Sequence, residues 1–218
     1  MTGAQFSLDA GPPRSSGRSR GARLAVDAGD GQSRRIVVAY GFWIFLISDV
    51  ILFAALFATY AVLSESTAGG PTGRDLFDMR TVAIETACLL ASSTSCGIAS
   101  AGIRTGRMGL FHGAMATTFA LGAAFVFIEV RDFAQAIGRG AGPGRSAFLS
   151  AYFAIVGCHG LHVFAGLLWL STTMARVYAK GRRADILRGV LCFGLFWHTL
   201  DIVWVALFSL VYLVGLAR

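Results

Sequence analysis

Long apolar runs alternate with short polar breaks along this chain. The runs cover roughly residues 36–63, 81–103, 109–130, 146–175 and 189–217. A membrane-crossing helix needs about 20 mostly apolar residues at about 1.5 Å rise each, and each run meets or nearly meets that length. They are far too long for barrel strands and show no period-two alternation. The pattern predicts an all-α integral membrane bundle of five transmembrane helices over 36–218. Residues 1–35 are rich in Gly, Ser, Arg and Asp, a composition that predicts a disordered tail. This lead-in is too long and polar for a signal peptide, and no small-residue cleavage site follows the first apolar run.

Composition agrees. Of 218 residues, 55% are hydrophobic and 14% are charged, where a soluble domain carries about a quarter charged residues. The net charge of +7 acquires meaning from its placement. Six arginines precede the first run, Arg104 and Arg107 join the second to the third, and five basic residues from Arg176 to Arg188 join the fourth to the fifth. That makes thirteen on one side of the membrane against six on the other, Arg74, Arg80, Arg131, Arg139, Arg145 and Arg218. The positive-inside rule then predicts a cytoplasmic N-terminus and a periplasmic C-terminus. The basic excess sets topology and attracts anionic lipid, and no nucleic-acid module accompanies it.

Gly and Pro density marks 66–78 as a turn and 131–146 as a second one with room for a short interfacial helix. Ser92, Ser93, Ser95, Cys96, Gly97, Ala99 and Ser100 suit the second run to close helix packing. Cys88, Cys96, Cys158 and Cys192 all fall in apolar runs without a CxxC pair, and read as small buried residues.

Function is sought at the few ionisable groups within the runs, because each is expensive to keep in hydrocarbon. Asp49 stands 13 residues after Ile36, about 20 Å along the axis and near mid-depth. His159 and His162 share a face of the fourth run; His198 and Asp201 share one in the fifth, at similar depth. Trp197 and Trp204 flank the second pair. These four residues are expected to form an intramembrane polar network that pins two helices together. The same set offers four potential metal ligands, and Asp49 could instead serve a proton or ion path. Glu85 and Glu129, near the outer helix ends, are expected to snorkel to water or pair with Arg80 or Arg131. His112 lies apart, near the cytoplasmic end of the third run.

The runs YGFWIFLISDVILFAALFATYAVL, TAGGPTGRDLF, GRSAFLSAYFAIVGCHGLHV and LFWHTLDIVWVALFSLVYLVG resemble subunit III of the haem-copper oxidases. The pair HGLHV and WHxxDxVW is the most specific part. Five helices, the TAGGPTG loop and a charged tail resemble the bacterial cytochrome o (ubiquinol oxidase) branch more than the cytochrome c oxidase branch, which commonly has seven helices. The resemblance implies no catalytic, cofactor or metal site in this chain, with haem and copper held by a partner subunit I. It implies packing against subunits I, II and IV in a bacterial inner membrane, and phospholipid in a cleft involving Asp49, Glu85 and Glu129. The family's membrane carboxylate, commonly Glu, falls on Asp49. Its histidines fall on His159, His162 and His198, and its aspartate on Asp201. The alternatives are a cytochrome c oxidase subunit III, a stand-alone histidine-based membrane metalloprotein, or a small transporter using Asp49.

Overall fold

The computed structural model describes residues 16–69, 78–180, 184–213 and 215, all of them helix or short turns. Among the described residues, five helices are long and apolar enough to cross a membrane: Ala39–Leu63, Met79–Thr105, Met108–Gly138, Ala147–Ala179 and Ile186–Leu213. They belong to α1 (Ser16–Leu63), α2 (Met79–Thr105), α3 (Met108–Gly138), α4 (Ala147–Lys180) and α5 (Ala184–Leu207), with a π-helical turn Phe208–Leu213 closing the last. The all-α, five-span reading of the sequence therefore holds.

The chain divides into two compact units, Met1–Phe45 and Leu46–Arg218. In the first, α1 is helical from Ser16, upstream of the first apolar run. Of the segment expected to be a disordered tail, 1–15 lie outside the described residues. Val37, Tyr40, Trp43 and Ile44 are exposed, and the Phe42 and Phe45 rings stand 6.3 Å apart.

In the second unit, local chemistry fixes each helix end. Much of the TAGGPTG loop falls in 70–77, outside the described residues. Asp78 then caps α2, its carboxylate accepting from the Arg80 N–H at 3.1 Å and the Thr81 hydroxyl at 2.9 Å, which satisfies donors the first turn cannot. At the other end Gly106 turns left-handed at φ 82° and donates to the Gly102 carbonyl, the conformation glycine adopts without a Cβ clash. A Cβ on Gly102 would lie 3.0 Å from the Phe111 amide nitrogen, so α2 and α3 meet almost backbone to backbone. Ser146 starts α4 by accepting from the Leu149 N–H at 3.2 Å. The short interfacial helix for which 131–146 has room does not form as a separate element. Instead α3 continues unbroken to Gly138, because Asp132–Ile137 carries no helix breaker before the glycines at 138 and 140.

The core of this unit forms around Trp197 of α5, which is 1% exposed. Its indole N–H donates to the Ser92 hydroxyl of α2 at 3.0 Å. A Cβ on Gly122 of α3 or Gly166 of α4 would come within 2.9 Å of the ring. Lipid tails are as apolar as leucine, so association in a bilayer rests on close packing and interhelical hydrogen bonds. Two glycines and one serine supply both here.

Candidate functional site

At mid-depth the polar residues form two separate groupings. On α1, Asp49 Oδ1 lies 3.8 Å from His162 Nε2 on α4, with both side chains mostly covered. The His162 Nδ1 sits 2.7 Å from the Cys158 carbonyl, and a carbonyl only accepts, so Nδ1 carries a proton. Nε2 then faces Asp49, and attraction between the two requires one further proton, on the ring or on the carboxyl. The Phe53 ring packs edge-on against His162 at 5.3 Å.

The second grouping lies on α2 and α5. Here His198 Nδ1 lies 2.6 Å from the Ser93 hydroxyl and 3.9 Å from Asp201 Oδ2. Both carboxylate pairs exceed direct hydrogen-bond length. The close partner of His198 is therefore Ser93, a residue the sequence offered only as one of several small packing positions. Asp201 is buried, and neither of its oxygens has a hydrogen-bond partner.

His159 stands apart from both. It is fully buried with neither ring nitrogen hydrogen-bonded. Its ring lies 5.2 Å from Trp204, 5.8 Å from Phe125 and 6.2 Å from Phe53. The i, i+3 spacing put His159 and His162 on one helix face, but only His162 reaches a carboxylate. Trp204 donates instead to the Thr86 hydroxyl at 3.1 Å. Among the described residues, no group of three or more His, Cys, Asp or Glu is placed to hold a metal ion.

A third site lies towards the Asp78 end. Glu85 and Glu129 are 1% and 4% exposed, so neither snorkels to water, and neither has an ion pair with Arg80 or Arg131. Glu85 Oε1 and Glu129 Oε2 are buried without a hydrogen-bond partner. Both line a cavity of about 240 Å³ that also meets Asp132, Arg131, Arg139, Tyr152 and Tyr212. The π-helical turn buries Val211 and Tyr212, and the Tyr152 and Tyr212 hydroxyls lie 3.5 Å apart. Sequence reasoning found the two glutamates. It missed the tyrosines and Asp132, whose only signal was polarity near a helix end.

Five helices long and apolar enough to cross a membrane, with a few ionisable side chains set within them, define a multi-pass helical membrane protein. Its family follows from comparison. The family described as cytochrome c oxidase subunit III matches residues 29–216, and this chain belongs to it. Cytochrome bo(3) ubiquinol oxidase subunit 3 of Pseudomonas aeruginosa is 49% identical over 176 residues, 81% of this chain and 84% of the relative. The Pseudomonas putida protein of that name is 48% identical over 80% of this chain and 84% of its own length. Cytochrome c oxidase subunit 3 of Bacillus sp. strain PS3 is 39% identical over 81% of this chain and 85% of its own.

Proposed function

We propose that this chain is the non-catalytic subunit III of a proton-pumping ubiquinol oxidase in a bacterial inner membrane. The observation that carries this is the 49% identity, across 84% of the relative, to a ubiquinol oxidase subunit 3. The cytochrome c oxidase alternative has weaker support, at 39% identity. In this reading subunit I holds the haem and copper, subunits I, II and IV are protein partners, and residues 1–35 form an extramembrane tail on the cytoplasmic side. His159, His162, His198 and Asp201 serve structure, with His162 joining α4 to Asp49 on α1 and His198 joining α5 to Ser93 on α2. Asp49, Glu85 and Glu129 face bound phospholipid. The short Ser93–His198 and Ser92–Trp197 hydrogen bonds support a structural role, since they join α2 to α5.

The test is purification through a tag on this subunit. Haem-bearing partners should co-purify, and the complex should oxidise ubiquinol and not reduced cytochrome c. Cytochrome c oxidation would assign it to the other branch, and activity or stoichiometric metal in the isolated chain would sink the subunit reading altogether.

A further inference from the structure

Helices α2 and α5 hold one imidazole near the centre of the bilayer and leave nearly half of it uncovered. The α5 span is Ile186–Leu213 and the α2 span is Met79–Thr105, so His198 and its partner Ser93 each fall within two residues of a span midpoint. His198 stands 12 residues after Ile186, about 18 Å along the axis, and further still from Leu213. The hydrocarbon core is about 30 Å thick, so the ring is too deep for its nitrogens to reach either interface. Its side chain is nevertheless 47% exposed. Leu191, Leu195, Ile202 and Val205 are exposed with it, at the three- and four-residue spacing of one helix face.

The hydrogen bond to α2 decides what this ring offers outward. Ser93 Oγ lies 2.6 Å from His198 Nδ1 and has no other hydrogen-bond partner among the described residues. A hydroxyl that only accepted here would leave its own proton unplaced in hydrocarbon, so Ser93 donates and Nδ1 accepts. The ring proton then sits on Nε2, which has no hydrogen-bond partner among the described residues. Asp201 does not supply one, since its approach, at 3.9 Å, is to Nδ1. An N–H left unpaired in an apolar medium is costly, and acyl chains carry no acceptor at this depth.

The adjoining surface of α2 has room for a helix. Ser93, Gly97 and Ala101 recur at every fourth residue, and Gly97 and Ala101 are exposed. A Cβ on Gly97 would meet nothing within 4 Å. Small residues at this spacing let a second backbone approach closely, and polar side chains then bond across the contact. We propose that His198 of α5 with Ser93, Gly97 and Ala101 of α2 seats a transmembrane helix of another oxidase subunit, and that a side-chain oxygen of that helix accepts from His198 Nε2. Lipid would cover the apolar part of this surface but leave the N–H unpaired. The inference rests on the reading of the chain as an oxidase subunit and assigns a face to one of its contacts.

The test uses the intact complex in native membranes. Ile202, one turn from His198 and 71% exposed, is replaced by photoreactive benzoylphenylalanine. Illumination should cross-link it to a membrane-spanning segment of another subunit that carries an oxygen-bearing side chain within one turn of the linked residue. Cross-linking to lipid alone, to a second copy of this chain, or to a segment without such a side chain overturns the proposal. In detergent, His198→Leu should lower at least threefold the haem-bearing partner retained per tagged subunit, while His198→Gln, which keeps an N–H donor, should hold most of it. Retention equal to the parent in His198→Leu, or equal loss in both variants, also overturns it. If His198→Leu fails to accumulate, Gly97→Leu, which fills the open seat and leaves the Ser93–His198 hydrogen bond in place, must lower retention by a similar factor; unchanged retention there counts against the proposal in the same way. A parent that brings down no haem-bearing partner defeats the proposed function itself. A parent that brings one down, with no cross-link from position 202 to another subunit, defeats this inference alone.

Discussion

Trp197 shows how single residues set the packing of this protein. Its ring touches the positions where Gly122 and Gly166 lack side chains, so a methyl at either would need the indole to move. The indole has little freedom, because its N–H is held by Ser92. Gly166→Ala should therefore destabilise the protein by about 1–3 kcal/mol, the usual cost of overpacking. Thermal unfolding of the detergent-solubilised protein measures it, and a midpoint unchanged from the parent would contradict the geometry. Because both glycines press on one ring, the Gly122→Ala/Gly166→Ala pair should depart from the sum of the single effects. Ser92→Ala should cost about 1–3 kcal/mol as well, by leaving a buried donor unpaired.

At the scale of the helix, the ends depend on capping residues. Asp78 lies outside the membrane span, and its carboxyl is held below the usual value of 3.8, first by the Arg80 N–H and then by the Thr81 hydroxyl. A carboxylate whose folded value is depressed contributes stability above its unfolded value, and loses that contribution as pH falls through the folded one. The start of α2 should therefore fray below pH 3.8 and hold at neutral pH. Amide exchange at Arg80 and Val82 reports this. Asp78→Asn keeps an acceptor but cannot titrate, so its exchange should lack this acid-dependent rise; an identical rise would remove Asp78 as the cause. The Gly106 turn makes a second prediction. At φ 82° an alanine is strained, so Gly106→Ala should cost about 1 kcal/mol, read from the same unfolding measurement.

At the scale of the whole molecule, charge asymmetry decides how the spans face. The thirteen-to-six basic imbalance and the five spans among the described residues together predict termini on opposite sides, with the N-terminus cytoplasmic. A reporter fused after Arg218 should be active in the periplasm and silent in the cytoplasm. The reverse pattern would invert the topology and move the Glu85–Glu129 cavity to the cytoplasmic leaflet. Exposed apolar side chains such as Ile51, Leu161, Leu168 and Ile202 need no compensation in a bilayer, where lipid or a partner helix covers them.

What the sequence determined by itself was the number and class of the membrane-crossing helices. Hydrophobic length is a local property, and backbone groups in lipid must be satisfied within the helix, so composition alone dictates α-helical spans. It also marked the ionisable residues, since each departs from an otherwise apolar run. Partner choice was decided by the tertiary structure. The spacing of His159 and His162 gave them one face, but rotation of α4 against α1 brought only His162 to Asp49 and left His159 among aromatic rings. Ser93 became the close partner of His198 because α2 packs against α5 at that depth, a relation between residues 105 apart in the chain. The Glu85–Glu129 cavity likewise draws on α2, α3, α4 and the π-helical turn. Periodicity reports which face of a helix a residue occupies; which neighbour that face meets depends on helix rotation and offset, fixed only when small residues such as Gly102, Gly122 and Gly166 let the helices close.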